Sequence, residues 1–337
     1  MAAERTRIGK DGVGGTLAID PEFEILKRVP VPKDRFAVRI VQRLWRNLPN
    51  KQLQKTEVQV NEIQIPSPSA PGRFVRTLCY ADKDVKEGET LPCVLLLHGG
   101  AFLFPAFPYH YRLAKQIVQR IRCRVIMPMY DLAPDFVPPL QQEEVFECYQ
   151  HILFAADYYS IDPGRIAVIG DSAGGTLTAA LTLMARDRNV PMPIAQELFY
   201  PSLDRRLESD SMKRYRDVPV CNGDSIQKYY KLCRSDEYVG NPDYISPVEA
   251  KSLEGLPEAY VETAEFDALH DDGIAYAKRL KEAGCRVVLN ETKGTVHGFD
   301  MVKSSRILAR VIDQRIAFLQ KVLSQDVERT PVSVYNV

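Results

Sequence analysis

From about residue 56 onward the chain alternates short apolar runs with segments of helical spacing. Residues 56–65 (TEVQVNEIQI) alternate apolar and polar positions, and 73–80 (RFVRTLCY) follow after the turn-rich PSPSAPG. Both have the pattern of antiparallel strands with one face toward water. The next runs are continuously apolar, as strands covered on both faces are: 93–97, 123–129, 165–169, 195–200, 258–263 and 286–291. Between them, 109–122, 141–157, 175–187, 272–284 and 304–323 carry apolar residues at three- and four-residue intervals. Strand and helix in alternation predict an α/β fold, with an eight-stranded, mostly parallel sheet flanked by helices on both sides.

Two regions break the alternation. Residues 1–55 precede the sheet, and 202–250 hold too many turn residues and charges for one crossover helix. Both are read as pieces of a helical cap over the carboxyl edge of the sheet, where open α/β sheets bind ligands. The expected division is a catalytic domain over 56–201 and 251–323, an N-terminal cap segment 1–55, an inserted cap segment 202–250 and a tail 324–337.

A helical wheel of residues 34–47 puts Phe36, Ala37, Ile40, Val41 and Leu44 on one half and Arg35, Arg39, Arg43 and Arg46 on the other. A basic amphipathic helix of this kind can touch a membrane surface. The preferred reading is that its apolar face covers the active site and its arginines face water. The stretch 166–185 has a single charge in twenty positions, but three glycines and an Asp in its middle argue against a membrane span.

The whole chain of 337 residues is electrically balanced, with 44 basic and 44 acidic side chains, which removes the usual argument for a nucleic-acid partner. Residues 1–60 nevertheless hold 12 basic against 7 acidic residues, net +5. The seven cysteines are scattered with no C-x-x-C pair, and the first residues lack an apolar run. Neither a disulfide framework nor a zinc site is favoured, and a reduced, cytoplasmic setting is expected.

The strongest chemical signal is Gly170-Asp171-Ser172-Ala173-Gly174-Gly175, directly after the run RIAVI and before a helical pattern. In that context G-x-S-x-G makes a sharp strand-to-helix turn that lifts the serine above the sheet. Serine needs a base, and the base an orienting acid. His297, past the last strand, and Asp267, in the loop after the strand before it, follow Ser172 in the order this turn demands. Glu265 is the second candidate for the acid. Asp271 and Asp272 are expected to cap the next helix, and His110 and His151 to be structural. Acyl chemistry also needs fixed donors for an oxyanion, and His98-Gly99-Gly100-Ala101-Phe102 at the end of CVLLL supplies main chain for them, together with the N–H of Ala173.

With HGGAF, Tyr130-x-Leu132-Ala133-Pro134-Asp135, GDSAGG, the Asp267 loop and HGF in place, the chain resembles the hormone-sensitive-lipase-like branch of the α/β-hydrolases, which includes arylacetamide deacetylase and plant carboxylesterases. The resemblance covers about residues 56–323. It implies a serine carboxylesterase with Ser172 as nucleophile, His297 as base and Asp267 as acid. It further implies oxyanion donors from the Gly99, Gly100, Ala101 loop and Ala173, with His98 and Asp171 holding the loops.

Two residues depart from the family pattern: Ala101 replaces a third glycine, and Asp131 stands where an arginine is usual. The Ala101 methyl is expected to exclude bulky tertiary alcohol esters, whereas Asp131 leaves open how the oxyanion loop is braced. Phe102, Phe104, Val220 and Tyr229 are candidate pocket residues, suiting esters with small to medium acyl groups. The partner expected is a small-molecule ester, and no metal or organic cofactor is implied. An acyltransferase, amidase or cyclase with the same machinery, and a non-catalytic receptor like that for gibberellin, are the alternatives. Such receptors lose the histidine that is present here as His297.

Overall fold

The eight apolar runs form one sheet, ordered β1-β2-β4-β3-β5-β6-β7-β8, in a computed structural model that describes residues 17–30, 32, 34–45, 58–86, 88–233 and 240–324. The strands are β1 (Gln59–Pro66), β2 (Phe74–Ala81), β3 (Leu91–Leu97), β4 (Arg124–Met129), β5 (Ile161–Asp171), β6 (Ala195–Phe199), β7 (Glu258–Phe266) and β8 (Val287–Val296). β2 pairs antiparallel with β1 and β4, and every later pairing is parallel. The alternating pattern of 56–65 therefore marks the wet edge strand, where the burial of β1 is intermittent, and the continuous run CVLLL lies in the fully buried β3.

Alternate residues of the central strands face two apolar cores. Val94, Leu96, Val125, Met127, Ala167 and Ile169 pack with helices α2 (Pro108–Arg120) and α8 (Arg306–Leu323). Cys93, Leu95, Leu97, Ile126 and Val168 pack with α3 (Leu140–Phe154), α4 (Ala173–Asp187) and α7 (His270–Glu282). This period of two is what lets a strand be apolar throughout and still have two distinct neighbours. The nearly uncharged stretch 166–185 is the end of β5, the turn and most of α4, and among the described residues no helix is long and apolar enough to cross a membrane.

The regions outside the alternation are short helices. A 3-10 helix, Pro21–Arg28, buries Phe23 and Leu26 in the core shared with α2 and α8, and Asp20 N–H donates to Gly294 O at 2.8 Å. Helix α1 (Arg35–Trp45) meets the inserted segment, which contains α5 (Asp210–Arg214) and α6 (Gly223–Cys233). Val38 of α1 shares an apolar cluster with Leu103, Phe104, Ala133 and, from α6, Tyr229 and Cys233.

The helical wheel of α1 needs a correction here. The edge turned inward is Val38, Val41, Gln42 and Trp45, whereas Phe36 and Leu44 are 75% and 73% exposed and Ile40 is also exposed. The cause is polar: the Gln42 amide donates to Leu103 O (2.7 Å) and Ala133 O (2.8 Å), and Arg39 pairs with Asp135. Arg46, the first sixteen residues and the tail from 325 lie outside the described residues.

One contact fixes where Ser172 comes off the sheet. The first turn of α4 lies so close to the end of β3 that a Cβ on Gly174 would overlap the Leu97 carbonyl. Replacing Gly174 with Ala is expected to destabilise the fold by about 1–3 kcal/mol, the usual range for overpacking, and to lower activity. Urea unfolding monitored by circular dichroism measures the first and ester turnover the second.

Candidate active site

Ser172 stands between β5 and α4 at φ 54°, ψ −118°, a conformation that costs a non-glycine residue about 1–3 kcal/mol. The turn is held by Ser172 N–H donating to Phe199 O (2.9 Å) and Ser202 N–H donating to Ser172 O (3.2 Å). Its hydroxyl lies 3.0 Å from His297 Nε2, and His297 Nδ1 lies 2.7 Å from Asp267 Oδ2. The other Asp267 oxygen accepts from Leu269 N–H at 2.9 Å. With an acceptor-only carboxylate at Nδ1, the proton of the neutral ring belongs there, which leaves Nε2 to accept from serine.

All three side chains are buried. Burial alone would lower the His297 pKa, but the Asp267 charge and hydrogen bond, helped by Asp171 and Asp300, outweigh it and hold the imidazole above its ordinary value.

Glu265, the second candidate acid, accepts instead from Gly294 N–H at 2.8 Å. Asp271 and Asp272 do not cap α7, because that helix begins at His270 and they lie inside its first turn. Asp271 accepts from Ser211 N–H (2.8 Å) and Asp272 from the N–H groups of Leu203 and Asp204 (both 3.3 Å), so they tie the catalytic side to the inserted segment.

The oxyanion loop divides its donors. Gly99 N–H is turned to Asp171 Oδ1 at 2.9 Å, which corrects its place among the oxyanion donors. Gly100 (φ 124°), Ala101 (φ 55°) and Phe102 (φ 59°) then run through positive φ, and a Cβ at Gly100 would collide with Phe104 O. The N–H groups of Gly100, Ala101 and Ala173 have no hydrogen-bond partner among the described residues.

Asp171 is the anchor of this arrangement. It accepts from Gly99 N–H, from Tyr109 Oη (2.7 Å) and from His110 Nε2 (2.8 Å), the His110 tautomer being set by Phe107 N–H donating to Nδ1 at 2.8 Å. Burial opposes its charge, but His110 and these hydrogen bonds prevail and bring the carboxyl down to about 2. His98 is forced the other way, to about 3, by burial and then by His110. It stacks on Tyr130 with centroids 4.2 Å apart, and Tyr130 Oη donates to His98 O at 2.7 Å.

The loop is therefore braced by Tyr130 and Gln42, while Asp131 points away to pair with Arg73. Gln42 carried no sequence signal beyond sharing a helix face with Val38 and Trp45.

A cleft of about 70 Å³ opens at Ser172. Of the candidate pocket residues it is lined by Phe102 and Tyr229, with Ala101, Leu207, Cys221, Ile226 and Cys233. Phe104 packs behind them under α1, and Val220 packs against the main core beside Gly298, so neither lines the cleft. Asp204 and Arg205 bring charge to the lining.

The family profile described as alpha/beta hydrolase fold matches residues 94–301, and the chain belongs to that family. It falls in the hormone-sensitive-lipase-like branch, and its relatives make it a carboxylesterase. It is 31% identical to Esterase LipI of Mycobacterium tuberculosis over 84% of this chain and 88% of that protein. It is 36% identical to an arylesterase of Saccharolobus solfataricus over 61% of this chain and 67% of that one. Among solved structures, a bacterial heroin esterase superposes with a TM-score of 0.82 at 28% identity, covering 91% of this chain and 99% of that one.

The raised His297 pKa has a definite sign for activity. If His297 is the base it works only when neutral, so kcat/KM for an uncharged ester is expected to rise with pH with a midpoint above 6.5. A pH profile with a soluble ester measures it; a midpoint below 6.5 contradicts the electrostatic balance described above.

Proposed function

We propose that the chain hydrolyses esters with small to medium acyl groups through Ser172, His297 and Asp267, with Gly100, Ala101 and Ala173 as oxyanion donors. The observation that carries this reading is the unbroken line from Ser172 Oγ through both ring nitrogens of His297 to Asp267. His297 takes the serine proton as Oγ attacks the acyl carbon, and negative charge develops on the acyl oxygen beside the three main-chain N–H groups. The imidazolium, held by Asp267, gives its proton to the leaving alcohol, and water then repeats both transfers to release the acid. No step calls for a metal or an organic cofactor.

The cap is read as two separated pieces, α1 and the inserted segment, that together close the cleft. Its narrowness supports a small acyl group, and the methyl of Ala101 on its wall supports the exclusion of tertiary alcohol esters. The seven cysteines stand as free thiols, which supports a reducing, cytoplasmic setting.

Ser172→Ala is expected to lower kcat on a short p-nitrophenyl ester by roughly 10⁴–10⁶-fold and to abolish labelling by a fluorophosphonate probe. A variant that hydrolyses at the parent rate removes Ser172 from the mechanism. An acyl-chain series on the parent enzyme should show kcat/KM falling once the acyl group outgrows the cleft.

A further inference from the structure

We propose that Tyr200 is a positioning residue for the general base, fixing the plane of the His297 ring, and that Asp300 and Arg315 hold Tyr200 in place for that purpose. The inference rests on the reading of His297 as the base. Two hydrogen bonds, at Nδ1 and Nε2, fix the ends of the imidazole. Both bonds act near one line through the ring, so the tilt of its plane about that line, and with it the finer aim of the Nε2 lone pair at the serine proton, is set by the side chains packed against it.

Tyr200 is such a side chain. Its ring meets the imidazole edge-on, with centroids 5.0 Å apart and planes at 67°. The tyrosine is fully buried and held at φ 35°, a region that a large side chain enters only under constraint. Its N–H donates to Glu262 O at 2.6 Å, and the residue before it accepts the Ser172 N–H, so its backbone is tied to both the acid strand and the nucleophile turn. Its hydroxyl donates to Asp300 Oδ2 at 2.8 Å.

Asp300 lies three residues after His297, in the short 3-10 turn that follows Gly298. Arg315 of α8, itself 1% exposed, grips that carboxylate through Nη1 (2.7 Å) and Nη2 (3.1 Å), and grips Glu262 through Nη2 (2.6 Å) and Nε (3.2 Å). Tyr200 is thus clamped at its backbone by Glu262 and at its hydroxyl by Asp300, and one guanidinium sets the spacing of the two clamps. The side chains that bear on His297 are Asp267 from the loop after β7, Asp171 at the end of β5, Ser172 in the turn that follows, Tyr200 after β6, and Asp300 from its own turn. Three of these are carboxylates, and Asp300 is the one that Arg315 partly neutralises.

The test uses Tyr200→Phe, which keeps the ring and loses only the clamp. Turnover is measured per active site titrated with a fluorophosphonate. The expected result is a kcat about 10-fold lower with KM within about twofold of the parent, as misplacement of a base should give. Asp300→Asn removes a negative charge facing the imidazole and should move the acid limb of kcat/KM to lower pH. A role confined to holding the fold together would lower the melting temperature and leave kcat per titrated site and the pH limb where they were, and that result overturns the proposal. If instead the parent enzyme fails to label at Ser172, the underlying triad reading has failed, which the labelling control detects separately.

Discussion

The carboxylate of Asp171 stands one residue before the nucleophile and is sealed from water, so every lone pair it uses must be satisfied from inside the protein. Its donors come from two separate pieces of chain: the Gly99 main chain at the end of β3, and Tyr109 and His110 in the first turn of α2. Removing one partner of such a buried charge typically costs about 3–5 kcal/mol. The turn that presents Ser172 and the loop after β3 are consequently tied into one unit. Gly99 gives up its N–H to this unit, which leaves those of Gly100, Ala101 and Ala173 for the proposed oxyanion hole. His98, kept neutral by burial, serves as a flat surface for Tyr130 and adds no second charge beside the nucleophile.

The base side follows the same logic with the opposite sign at its centre. Arg315 is a buried cation that two carboxylates surround, Glu262 from β7 and Asp300 from the His297 turn. A third acid, Glu197, is buried near them with neither carboxylate oxygen partnered among the described residues, and burial raises its pKa. Buried ion pairs are weak evidence for stability, because desolvation offsets most of the attraction. What this pair does supply is geometry, since it joins the last helix of the chain to the acid strand and the base turn.

Much of this was legible in the sequence where chemistry coincides with a local pattern. GDSAGG and HGG each follow a continuous apolar run, so strand and turn are read together, and Asp267 and His297 stand just past the ends of the last two strands. The contacts that sequence reasoning missed are those made between elements distant in the chain. Nothing local marks Gln42, Tyr200 or Arg315, whose partners lie 61, 100 and 53 residues away. The helical wheel of α1 showed an apolar half but could not say which edge would be buried, and two carbonyls that needed a donor decided it. Loops have no period either: Phe102 lines the cleft where Phe104 does not, and Cys221 lines it where Val220 does not, because the chain at Ala101, Phe102 and Val220 passes through positive φ.

The cleft itself joins the two parts of the molecule. Its floor is the Ser172 turn, which the sheet fixes, and its walls come from Ala101 and Phe102 after β3 and from the inserted segment. Cys233, at the end of α6, donates through its thiol to Ala101 O at 3.1 Å, and burial pushes that thiol up to about 12, so it acts as a weak donor and apolar wall and not as a nucleophile. The carbonyl it holds belongs to Ala101, whose N–H is one of the proposed oxyanion donors. A change at the end of α6 therefore reaches both the shape of the cleft and the main chain at Ala101. Under the proposed function, the residue whose methyl lines the acyl cleft and the residue that supplies an oxyanion donor are one and the same, Ala101, and α6 holds it by its carbonyl.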